Sequence, residues 1–139
     1  MAESPSGGEA ADTIRWRHAC HSVTLAFEVA LVLSAAAFLA YGTACLAFDG
    51  MKRDFERFGM GRLRVLTGSL EVLGAVGLLV GWVLSPSLVA ASAAGLALLM
   101  GAGVATRIRV LDSLAQTLPA LVLLAMNAFV AWYALTHGA

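Results

Sequence analysis

Glu71 is the residue of this sequence most able to do chemistry, because it is an ionisable group inside a long apolar run, Val65 to Leu84. A carboxyl at that depth costs several kcal/mol if it faces lipid, so it is expected to face protein. Its own neighbours agree. Arg64, Thr67, Glu71, Gly74, Ala75 and Leu78 share one helical stripe at three- and four-residue spacing, and Gly77 and Gly81 add a second small pair. Small residues let helices approach closely in lipid. Depth along the helices suggests what Glu71 meets: Tyr41 on the first run, Thr106 at the end of the third and Asn127 on the fourth, with Arg64 and Arg107 at the rim. Such a polar layer would hold a small amphipathic molecule, with Glu71 as anchor or proton carrier. The alternative is a structural carboxyl reaching Arg64 or Arg107. Both readings stay open at this point.

Other chemistry-bearing residues offer less. Glu28 lies near the opposite boundary, roughly 12 Å away in depth, so the two acids make no carboxylate dyad. His18, Cys20, His21 and His137 gather on the terminal side, but their spacing matches no strong zinc pattern. They read as interfacial polar residues. Cys20 and Cys45 stand about 37 Å apart along one helix, too far for a disulfide. No P-loop, G-x-G-x-x-G, G-x-S-x-G or H-E-x-x-H is present, and no metal or cofactor is evident from the residues.

These side chains must be positioned by membrane helices. Of 139 residues, 60% are hydrophobic and 13% charged, with a mean hydropathy of +0.83. Soluble domains are closer to half apolar and a quarter charged. Apart from Glu28 and Glu71, the charges lie outside the apolar runs. Those runs span about 22–48, 65–84, 88–106 and 118–135. Each can cross a hydrocarbon core of about 30 Å, and backbone groups in lipid must be satisfied internally, so the runs are helices. The expected fold is all-α: an integral membrane up-down four-helix bundle. Residues 1–14, rich in Ser, Gly, Glu and Ala, read as a disordered tail preceding one membrane domain, 15–139. The first run is too long for a signal-peptide core. Between Asp49 and Arg64, Met51, Phe55 and Phe58 fall on one side of a short segment, which predicts a helix lying in the interface. Pro119 suits the first turn of the fourth helix.

Seven of the nine Lys and Arg lie in the connections 49–64 and 107–117. The positive-inside rule places those connections in the cytoplasm. The zero formal net charge gives no footprint for nucleic acid. The expected partners are the lipid bilayer, a hydrophobic small molecule or a membrane partner subunit, with self-association allowed.

A family pattern is carried by Phe55-Glu56-Arg57-Phe58-Gly59, Arg62-Leu63-Arg64 and above all the E-x-x-G-A-x-G-L-L element that begins at Glu71, followed by Ala93 to Gly103 and Ala105-Thr106-Arg107. From Leu31 to Tyr133 the chain resembles the DoxX-like family of small four-helix bacterial membrane proteins. The resemblance implies a bacterial cytoplasmic membrane. Some relatives are named for a terminal quinol oxidase subunit or for thiosulfate oxidation, which makes a quinone an implied ligand and a quinone-linked redox subunit the second functional reading. This chain has no cysteines matching those that some relatives use for redox work.

Overall fold

The computed structural model describes the backbone of residues 7–47, 56 and 63–137, with side chains from Ser22 onward in α1 and from Val65 onward in α2. Four helices follow one another: α1 Gly7–Ala47, α2 Leu63–Leu84, α3 Pro86–Arg109 and α4 Leu114–His137. Segments long and apolar enough to cross a membrane are Ser22–Ala47, Val65–Leu84, Pro86–Arg109 and Leu114–His137. The chain is a multi-pass membrane protein with an up-down bundle. The expected interfacial helix, with Met51, Phe55 and Phe58, lies outside the described residues.

Helices neighbour one another in ring order: α1 on α2, α2 on α3, α3 on α4 and, more thinly, α4 on α1. A core runs down the axis through Leu31, Ala35 and Phe38 of α1, Ala75 and Leu78 of α2, Ala93 and Leu96 of α3 and Val130 of α4. The outward faces are equally apolar, with Leu73, Val83, Leu98 and Leu135 largely exposed. A helix that is hydrophobic all round has lipid for its solvent. Close approach replaces the hydrophobic effect as the packing rule. A Cβ on Gly42 would stand 3.0 Å from the carbonyl oxygen of Gly68, and one on Gly68 would stand 3.1 Å from that of Gly42. So α1 and α2 cross backbone to backbone at this pair. On another side of α2, Gly74, Gly77 and Gly81 receive Leu96, Ser92 and Val89 of α3.

Three boundaries differ from the sequence expectation. First, residues 7–14 belong to α1, where a tail is expected. Ala10 and Ala11 in this stretch are residues of the highest helix propensity. Second, α3 starts at Pro86, two residues earlier than expected. Ser85 is its extended N-cap (φ −165°) and Pro86 its first residue, where a missing N–H costs nothing. Third, α4 starts at Leu114, with Pro119 inside it rather than in its first turn. The Gln116 side chain closes the turn at Ser113, as one arm of a capping box does, and also accepts from the Ser113 hydroxyl at 3.3 Å. The N–H groups of Gln116 and Thr117 reach the Ser113 carbonyl at 3.0 and 3.2 Å, while Gln116 Oε1 accepts from the Ser113 N–H at 3.4 Å.

The α3–α4 turn contains a residue the sequence does not flag. Past the cap Val110, Leu111 takes φ 57°. Its N–H reaches the Ile108 carbonyl at 3.2 Å, and that of Asp112 reaches the Arg107 carbonyl at 3.0 Å. This is a Schellman ending, in which the left-handed position favours glycine. Leu111 is 91% exposed, so it gains no burial inside the protein to offset a left-handed cost of roughly 1–2 kcal/mol. Leu111→Gly is expected to raise stability by about 1 kcal/mol, read as a higher midpoint in unfolding from mixed micelles; an unchanged or lower midpoint would contradict the strain argument.

Candidate functional site

Helix α2 carries Glu71 inward because Glu71, Ala75 and Leu78 fall on one face, and all three are buried. Glu71 is 7% exposed. Its Cβ lies 3.2 Å from where Gly42 would bear a Cβ. The α1–α2 crossing therefore seals the carboxyl's stem against bare backbone. Among the described residues none gives Glu71 a hydrogen bond or an ion pair. A carboxyl in this position has acceptor capacity and no protein donor in view.

Asn127 is the second buried polar residue of the predicted layer, 0% exposed. Its amide nitrogen donates to Ser34 Oγ at 2.7 Å and to the Leu123 carbonyl at 2.8 Å. Its Oδ1 is buried with no partner. Buried polar atoms are normally hydrogen-bonded, so an orphan acceptor of this kind needs a reason. Glu71 lies eight residues from the start of α2, about 12 Å, and Asn127 thirteen from the start of α4, about 20 Å. The two acceptors are thus stepped along the axis by roughly 8 Å, on helices that stand diagonally and do not touch. Asn127 sits this deep because α4 begins at Leu114 and not near Leu118.

The other predicted site residues are placed as follows. Tyr41 shares the depth of Glu71 but is 43% exposed; the next residue, Gly42, turns toward Glu71 instead. Thr106 is half-buried and returns its hydroxyl proton to the Ala102 carbonyl at 2.9 Å. Arg107 is paired with Asp112 at 3.0 Å, closing the α3–α4 turn. Arg64 lies in α2, with its side chain outside the described residues. The hydrogen bonds seen do not join any two of the six residues to each other. Ser34 was missed by sequence reasoning. The signal was a hydroxyl in the Ala-rich stretch Ser34 to Ala37, weak because serine in a membrane helix can bond its own backbone. No group of three or more metal-binding side chains forms among the described residues.

This geometry is carried by the segment that a known family also covers: the DoxX-like family matches residues 29–130. The chain belongs to the DoxX-like family. The match takes in Ser34, Gly42, Glu71 and Asn127, so the α1–α2 crossing and both buried acceptors lie within the family's extent. No curated protein and no solved structure matches the chain.

Proposed function

We propose that the protein is a non-catalytic membrane module that takes up a small hydrophobic ligand, or a hydrophobic segment of a partner subunit, through an intramembrane polar layer around Glu71. The observation that carries this reading is a carboxyl buried within a membrane-spanning bundle with no protein partner among the described residues. Intramembrane acids are expensive and mark ligand or proton sites. The orphan Oδ1 of Asn127 adds a second acceptor one and a half turns deeper. Two acceptors with no donors favour a ligand that brings hydroxyl or amine hydrogens. Tyr41, Thr106, Arg64 and Arg107 are the residues proposed to complete the layer toward the connection end.

The seven basic residues of segments 49–64 and 107–117 support a cytoplasmic placement of that end in a bacterial inner membrane. Quinones and quinols belong to the expected ligand class, and a bound quinone would extend the reading to a redox subunit.

The test is Glu71→Gln, purified from native membranes beside the parent protein and followed by mass spectrometry of the extracted small molecules and co-purifying subunits. The variant should keep its helical content and unfolding midpoint. It should lose about tenfold of the specifically retained species, the effect of one charge-assisted hydrogen bond near 1.4 kcal/mol. Equal recovery from both proteins would overturn the proposal. Quinol-dependent turnover of the parent protein, alone or with a recovered subunit, would favour the redox reading.

A further inference from the structure

The four seams of the bundle are not held alike. Gly42 and Gly68 bring α1 and α2 backbone to backbone, and Gly74, Gly77 and Gly81 let α3 sink onto α2. Helices α2 and α3 are also tied by the single residue Ser85. Helices α3 and α4 are tied by a short turn that the Arg107–Asp112 ion pair closes. Among the described residues, the seam between α4 and α1 has none of these devices. It is the thinnest of the four, it joins helices that are not consecutive in the chain, and α4 contains no glycine.

A short series of side chains crosses that seam instead. Thr24, Phe27 and Ser34 share one stripe of α1. Thr24 Oγ1 lies 3.2 Å from the Tyr133 hydroxyl, and Phe27 stacks on the Tyr133 ring at 4.6 Å between centroids. Deeper in the bundle, Ser34 Oγ accepts from the Asn127 amide at 2.7 Å. Two side chains of α4 thus act as latches. Such latches are weak in lipid: a side-chain hydrogen bond between membrane helices contributes on average about a threefold factor to an equilibrium. Backbone-to-backbone packing, which spreads dispersion over many atoms, is missing here. The closed seam also leaves Asn127 Oδ1 buried with no partner, a cost that an arriving donor removes.

We propose that the α1–α4 seam is the lateral entrance of the bundle. Helices α1 and α4 part while the other three seams stay closed, and Asn127 Oδ1 then meets hydrogen-bond donors that arrive from the bilayer. This rests on the reading of the buried acceptors as a ligand layer and adds the route into it. A molecule that binds only the open form draws the population toward that form.

The test uses the full chain in lipid nanodiscs, with Cys20→Ser and Cys45→Ala. Nitroxides are attached after Leu33→Cys in α1 and Ala128→Cys in α4, both exposed positions. A second pair, Leu33→Cys with Val80→Cys in α2, spans the glycine crossing. Distances are read by double electron–electron resonance. The α1–α4 distribution should hold a longer component. Its share should rise about threefold with Ser34→Ala or with Tyr133→Phe, and about tenfold with both. The α1–α2 distribution should stay single throughout. Added n-octanol, which brings a hydroxyl donor, should raise the α1–α4 component above its level in n-octane, and Asn127→Leu should abolish that difference. A single α1–α4 distance in the double variant, an equal second component in the α1–α2 pair, or the same response to octanol and octane would overturn the proposal. Glu71→Gln should leave these distances unchanged. Equal ligand recovery from that variant therefore removes the reading of Glu71 alone, and a seam that stays shut removes the route alone.

Discussion

Gly42→Leu is expected to lower the stability of the bundle by roughly 3 kcal/mol. The cause is the α1–α2 crossing. A Cβ at position 42 meets Val72 Cγ2 at 2.8 Å, the Gly68 carbonyl oxygen at 3.0 Å and the Glu71 Cβ at 3.2 Å. A valine methyl can rotate away, but a helix carbonyl cannot, so the added side chain must push two backbones apart. Overpacking of a close-packed site, which forces side-chain and backbone shifts, costs about 1–3 kcal/mol, and the backbone contact here puts this change at the upper end. Helix association in lipid depends on van der Waals contact at small residues, so the whole crossing loosens. Gly95→Ala is the control, because nothing lies within 4 Å of a Cβ there, and it is expected to shift stability by less than about 0.5 kcal/mol. Unfolding in mixed micelles reads both. Equal midpoints for the two variants would show that the crossing is not held by bare glycine backbones.

Phe38→Ala follows, with an expected loss of about 2–3 kcal/mol. Phe38 is 0% exposed and heads the largest buried side chains. It packs at the centre of the core, with Ala35 and Leu31 one and two turns away on α1. Removing a buried phenylalanine from a water-soluble core costs about 3–5 kcal/mol, part of it lost transfer from water. In a membrane the unfolded helices are already in hydrocarbon, so that part largely disappears and the cavity and lost dispersion contacts remain. The estimate therefore sits below the soluble range. Phe38→Leu should recover more than half of the loss, since it refills most of the volume. A loss near 5 kcal/mol would mean that the position exchanges water, not lipid, on unfolding.

How much of this was legible beforehand differs by level. The four spans were readable because a membrane demands unbroken apolar helices, and boundaries such as Val65 and Leu84 fall where charge or a Ser-Pro break stops the run. The start of α4 was not, because Ser113 to Gln116 reads equally as a polar connection and as a capping box, and Pro119 advertised a rival start. Leu111 gave no warning, since leucine carries no preference for a left-handed backbone. The inward turn of Glu71 could be read from the small residues sharing its face. The rest of its layer could not be assigned by depth alone. Depth ignores rotation about the helix axis, and successive residues turn by about 100°; that single step separates half-exposed Tyr41 from buried Gly42. The partner of Asn127 depended on the pairing of α4 with α1, which sequence spacing does not contain.

Helix α1 runs unbroken from Gly7, fifteen residues before its membrane segment begins at Ser22. That length corresponds to about 22 Å of continuous rod beyond the hydrocarbon boundary, on the same axle that holds Ser34, Phe38 and Gly42. The described stretch before Ser22 and the crossing that encloses Glu71 therefore belong to one continuous helix, with no break between them.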